Sequence, residues 1–148
     1  MKRIVIIGGG FAGSLAAKEL EKDFSVTLID SKDYFEFTPS ILRTIVEPKH
    51  IKKIQIPHHR YLRNSLIIRG EVTSITETEV FTAKEKVTFD YLIIASGSSY
   101  YKPIKEQKVI LTNRAVELKN YSQELKKAKT VLVIGGGLVG IELAAEIA

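Results

Sequence analysis

Gly8, Gly10 and Gly13 stand at the junction between an apolar run, Arg3–Ile7, and a stretch of helical spacing. The pattern G-x-G-x-x-G has a mechanical meaning there. The first glycine permits a tight turn, the second lets a pyrophosphate approach the backbone, and the third packs helix against strand. Free N–H groups and the positive end of the helix dipole then attract phosphate oxygens. Asp30 follows about twenty residues on, at the end of the next apolar run, where a carboxylate can accept hydrogen bonds from a ribose diol. An ordinary strand-to-helix turn with Asp30 capping a loop is the plainer alternative. Gly135, Gly137 and Gly140 repeat the spacing, so two dinucleotides are implied. FAD and NAD both present an adenosine ribose and a pyrophosphate, and the glycines alone do not distinguish them.

The elements that must carry these residues follow from periodicity. "RIVII" is continuous, apolar and β-branched, as in a parallel strand buried on both faces. Phe11 to Lys22 repeats Ala12, Leu15, Ala16, Glu19 and Leu20 at helical spacing, and "SVTLI" is a second strand ending at Asp30. Together they form a βαβ unit, whose crossover is expected to be right-handed. "FTPSILRTIVEP" holds a short helix between Pro39 and Pro48, and "PHHRYLRN" a helical turn and loop. "SLIIRGEVTSIT" is extended with a break near Gly70, and a polar hairpin from Glu79 leads into a buried strand, Tyr91 to Ala95. A connecting helix over 111–129 precedes "VLVIGGG", a strand and glycine turn that open a last helix.

Bulk properties narrow the class. At 148 residues the chain suits one domain with a sizeable core. Its net charge is +5, and its basic residues are scattered, Lys52-Lys53 and Lys126-Lys127 being the densest pairs. A solvated basic surface is favoured over nucleic-acid binding. With no cysteine there is no disulfide, thiolate metal site or redox dithiol in these residues, which suits a reducing compartment. Met1-Lys2-Arg3 leads straight into a strand, unlike a signal peptide. No apolar run approaches the roughly 20 residues of a membrane span, so a soluble chain is expected. His50 and the pair His58-His59 lack partners at ligand spacing and are expected as surface or loop histidines, with no metal site. Tyr100-Tyr101 could equally shield a cofactor or half-bury in a loop.

The two glycine turns, with "TFDYLIIASG" before the second, resemble the two-dinucleotide-binding flavoproteins. That superfamily includes pyridine nucleotide–disulfide reductases, type II NADH dehydrogenases and apoptosis-inducing-factor-like oxidoreductases. "LIDSKDYFEFTPSILRTIVEP" and "GGGLVGIELAAEIA" are most similar to the last group, the ferroptosis-suppressor-type NAD(P)H:quinone reductases and their plant relatives. The resemblance covers essentially the whole chain. It implies an α/β fold: a Rossmann-like FAD-binding unit with a parallel sheet and β-hairpin extension, then the start of a second Rossmann-like unit. The implied domains are an FAD-binding first segment over 1–110, the connecting helix over 111–129, and the start of an NAD(P)H-binding domain over 130–148.

By position, the resemblance implies that Gly8, Gly10 and Gly13, with Phe11 and Ala12, hold the FAD pyrophosphate and Asp30 its adenosine ribose. Ser31, Lys32 and Arg43 would lie alongside, though Arg43 also suits a helix-surface salt bridge. Val72 would offer its backbone to the adenine. Ala95-Ser96-Gly97 matches an Ala-Thr-Gly turn that passes the FAD, serine keeping the hydroxyl but losing the methyl. Gly135, Gly137 and Gly140 would hold the NAD(P)H pyrophosphate, with Glu142 near the nicotinamide end. The redox cysteine pair of the disulfide-reductase branch would fall within Phe37 to Val46, where there is no thiol. Direct hydride-in, electron-out chemistry to a quinone-like acceptor is therefore expected, with the flavin carrying the chemistry and no catalytic side chain assigned.

The same resemblance implies an N-terminal fragment, inactive alone, of a cytoplasmic protein that could be peripheral to a membrane at full length. The apolar piece at Val131–Ile147 is expected to pair between copies, giving a homodimer. The alternative is a non-catalytic nucleotide-binding or interaction module completed by another chain.

Overall fold

A computed structural model describes residues 1–98 and 114–148. The described residues fall into two compact units. The first comprises Met1–Glu36 and Ile56–Ser98; the second comprises Phe37–Gln55 and the described part of Ser99–Ala148.

The first unit is built on a parallel sheet. Strands β1 (Arg3–Ile7) and β2 (Ser25–Asp30) are joined by helix α1 (Phe11–Leu20). With β5 (Leu66–Arg69) and β9 (Tyr91–Ile94) they give the order β5-β2-β1-β9. All three neighbouring pairs are parallel, with Ile7 opposite both Ile29 and Ile94, and Asp30 opposite Arg69. The carboxyl ends of all four strands therefore share one edge. Ligands of open α/β sheets bind outside that edge.

Alternation along the strands explains why apolar residues occupy both of their faces. Ile4, Ile6, Val26 and Leu28 pack with Ala17 of α1 and with Leu62. Val5, Ile29 and Ile68 face the other way and pack with Val80. Val80 belongs to an antiparallel sheet of β6 (Val72–Ile75), β7 (Glu79–Thr82) and β8 (Lys86–Thr88). A helix covers one face and the antiparallel extension the other, so the centres of β1 and β2 bury apolar residues on both sides. A two-stranded ladder of β3 (Tyr34–Glu36) and β4 (Gln55–Pro57) is followed by the single-turn helix α4 (His58–Tyr61).

The second unit contains α2 (Arg43–Val46), α3 (Ile51–Ile54), α5 (Arg114–Lys127) and α6 (Leu138–Ile147). Its core gathers Ile41, Leu42, Ile45, Ile51, Ile54 and Leu118. Pro39 and Pro48 each lie in a 3-10 turn, so the expected single helix between them is shortened to α2. Val131–Ile134, expected as a strand, has no ladder among the described residues; Leu132 and Ile134 are 83% and 89% exposed. A β run becomes a strand only with a neighbour to take its hydrogen bonds.

Candidate dinucleotide site

The first glycine turn sits between β1 and α1, at the carboxyl edge of the sheet. Gly8 has φ +98°, which side chains rarely adopt, and its N–H donates to the Ile29 carbonyl at 2.8 Å. A Cβ there would also run into the Ala95 carbonyl. One on Gly13 would strike the Gly8 carbonyl, so helix and turn touch through bare backbone. Gly10 differs. A Cβ on it meets nothing within 4 Å, and it caps α1 without any side-chain hydrogen bond. The open space and the uncapped helix start suit an anionic group approaching from outside.

Asp30 ends β2 directly beneath this turn and is buried. Its Oδ2 accepts from the Gly9 N–H at 3.0 Å and lies 3.2 Å from His58 Nε2. Its Oδ1 has part-buried contacts, from the Ser31 hydroxyl at 3.2 Å and the Lys32 N–H at 3.3 Å. Burial alone would raise the pKa of this carboxyl. The hydrogen bond from His58, that from the Lys32 backbone and the nearby Lys32 charge outweigh it, so the group is held below its ordinary range.

His58 is not the surface histidine expected from the sequence: its side chain is fully buried, whereas His59 beside it is exposed. Its Nδ1 lies 2.5 Å from the Tyr61 hydroxyl, which lies 2.7 Å from the Ser14 hydroxyl, which donates to the Gly9 carbonyl at 2.8 Å. Burial pushes the Tyr61 phenol up, keeping it neutral. The chain of contacts thus leaves the Gly9 N–H and returns to the Gly9 C=O. The Ser14–Tyr61–His58 arc was not legible in the sequence, because no recognised spacing links those residues. Among the described residues no group of three potential metal ligands gathers.

The second turn copies the first in its own unit. Gly135 has φ +107°, a Cβ on Gly140 would strike the Gly135 carbonyl, and Gly137 is open and caps α6 without a side-chain bond. A family model of pyridine nucleotide-disulphide oxidoreductases matches residues 2–148, through both turns. The chain belongs to that family. Apoptosis-inducing factor homolog B of Dictyostelium discoideum is 40% identical over 99% of this chain and 38% of its own length. For ferroptosis suppressor protein 1 of Xenopus laevis the identity is 38%, over 98% of this chain and 40% of that protein. This chain therefore spans about two-fifths of the length of these relatives.

Solved structures share the fold. NDH2 from Plasmodium falciparum in complex with NADH superposes with a TM-score of 0.73 at 23% identity, over 98% of this chain and 36% of that one. Sulfide:quinone oxidoreductase from Aquifex aeolicus gives 0.68 at 26% identity, over 87% and 33%.

The remaining expected residues divide by unit. Ala95 and Ser96 lie against Gly8, the Ala95 N–H donating to the Ile7 carbonyl at 2.8 Å, and Gly97 has φ +74°. Phe11 is 53% exposed and meets Phe35 edge-on at 5.1 Å. Ala12 is exposed beside it on the first turn of α1. Ser31 and Lys32 adjoin Asp30, with the Lys32 ammonium 5.6 Å from the Tyr34 ring centre. Val72 opens β6 and packs into the Val5–Ile29 core. Arg43 lies in the second unit, within 3.2 Å of Glu47 and 3.5 Å of Glu146. Glu142 is exposed on α6, and Tyr100-Tyr101 lie outside the described residues. No helix among the described residues is long and apolar enough to cross a membrane.

Proposed function

We propose that this chain is part of an FAD-dependent NAD(P)H oxidoreductase that passes electrons from NAD(P)H through FAD to a quinone-like acceptor. The observation that carries the reading is the open, uncapped turn at Gly10, whose neighbour Gly9 donates its N–H to the buried carboxylate of Asp30. Gly8, Gly10 and Gly13, with Phe11 and Ala12, would hold the pyrophosphate of FAD and Asp30 the adenosine ribose, with Ser31, Lys32 and Ala95–Gly97 alongside. Arg43 and Val72 are further contacts by position. When bound, FAD supplies the redox chemistry, accepting a hydride and giving electrons onward. The side chains bind and orient. Gly135, Gly137 and Gly140, with Glu142, would receive the nicotinamide dinucleotide.

The quinone part of the proposal is supported by two things. These residues contain no cysteine, so no dithiol within them relays electrons. One structural neighbour is a sulfide:quinone oxidoreductase. The lack of thiols also suits a cytoplasmic setting. The test is direct. The purified protein is expected to carry flavin absorbance, and the released cofactor to be FAD by mass. Tight binding of ADP or NAD with no uptake of added flavin would instead establish a nucleotide-binding module without flavin chemistry.

A further inference from the structure

A buried histidine needs a reason, because an apolar residue would fill the same space at no desolvation cost. His58 has both ring nitrogens engaged, one with Asp30 and one with Tyr61. A carboxylate only accepts, so the hydrogen on this contact belongs to Nε2. The backbone of His58 is fixed as well. Its N–H donates to the Asp33 carbonyl at 2.9 Å, and its carbonyl accepts from Leu62 at 3.0 Å. The same residue therefore grips the loop after β2 by its main chain and the last residue of β2 by its side chain.

The two carboxylate oxygens of Asp30 are consequently unequal. Oδ2 is held in buried contacts by Gly9 and His58, while Oδ1 meets only its sequence neighbours Ser31 and Lys32, in part-buried contacts. We propose that His58, braced by Tyr61 and Ser14, is a positioning residue that turns Oδ2 inward and leaves Oδ1 to accept from the adenosine ribose of the dinucleotide. This rests on the reading of the first glycine turn as the FAD site. The same arrangement accounts for the third glycine in a row. A Cβ on Gly9 would lie 2.5 Å from both Asp30 Oδ2 and His58 Cε1, so the positioning arc requires a bare backbone there.

The test is flavin titration of the protein stripped of cofactor, followed by quenching of flavin fluorescence, with circular dichroism as the check on folding. Loss of a hydrogen bond to a charged group predicts that His58→Leu weakens FAD about tenfold. His58→Gln, whose amide can donate to Asp30, is expected to recover to within about threefold of wild type. If His58 acts through Asp30, then in an Asp30→Asn background His58→Leu should bring no further loss. An equal loss in both backgrounds would make His58 a mere fold element and overturn the proposal, as would unchanged affinity in a folded His58→Leu. Should His58→Leu fail to fold, Tyr61→Phe decides. A loss of about threefold that vanishes in Asp30→Asn supports the arc, and unchanged affinity refutes it. Failure of the wild-type protein to take up FAD would refute the flavin reading itself, and the positioning role with it.

Discussion

Gly9 and Gly10 are neighbours that are glycine for opposite reasons. A side chain on Gly9 would collide with Asp30 and His58 inside the protein, while one on Gly10 would meet only the space into which phosphate should come. Two substitutions separate these roles. Gly9→Ala is expected to destabilise the cofactor-free protein by about 1–3 kcal/mol, the range for forcing extra volume into a packed site. Gly10→Val should leave the cofactor-free melting temperature near wild type while FAD uptake falls by at least about tenfold, because binding needs bare backbone at that point. Thermal denaturation and flavin titration on the same samples check both, and the reverse pattern would dismantle the assignment of the turn. The contrast also marks what the sequence could reveal. Gly8, Gly10, Gly13 and Asp30 stand at a spacing set by one βαβ unit, so their meeting was legible. The reason for Gly9 lies in His58, 28 residues beyond Asp30 on a single-turn helix with no periodicity of its own.

At the scale of elements, the strands were legible because burial on both faces leaves β-branched and apolar residues at successive positions, as in Ile4–Ile7 and Leu28–Ile29. What ties the elements together was less so. Glu21 follows α1 and looks like one more charged residue at a helix end, yet it is buried. Its Oε2 accepts from the N–H groups of Arg63 and Asn64 at 3.1 and 2.9 Å and from the Ser65 hydroxyl at 2.8 Å. This clamps the end of α1 to the start of β5. Burial pushes the Glu21 carboxyl up, but the donors from Asn64, Ser65 and Arg63 prevail and hold it below its ordinary 4.5. A pKa depressed on folding stabilises the fold at pH above the ordinary value, and that contribution is lost as pH falls through the lowered one. Asp30 acts in the same direction. The melting temperature is therefore expected to be level near neutrality and to fall once the pH drops below about 4.5. Glu21→Gln should cost about 1–2 kcal/mol at pH 7 and make the acid limb shallower. A wild-type acid limb in Glu21→Gln would show that the clamp does not carry the pH dependence.

At the scale of the molecule, two turns of the same sequence pattern stand in unequal surroundings. Around the first, β9 and β2 flank β1, and Gly8 lies against the Ala95 carbonyl. Around the second, Gly135 has nothing within 4 Å of where a Cβ would be, and Val131–Ile134 pairs with no strand among the described residues. The apolar pattern of "VLVI" is as clear as that of "RIVII", but pattern encodes only the capacity to pair, and a ladder also needs its partner. Function should follow the same division. The turn from Gly135 to Gly140 is already shaped and its helix start uncapped, so it can attract a pyrophosphate. Hydride transfer asks for more: the reacting atoms must be held about 3–3.5 Å apart, a demand met by rigid surroundings and not by attraction. Residues 1–148 alone, supplied with FAD, NADH and a water-soluble quinone, are expected to oxidise NADH no faster than free flavin does. Stopped-flow and steady-state absorbance of NADH measure this directly. A turnover on the order of 10 s⁻¹, ordinary for an enzyme, would mean that the second turn aligns its nicotinamide without a strand beside it, and the division of labour between the two turns would have to be abandoned.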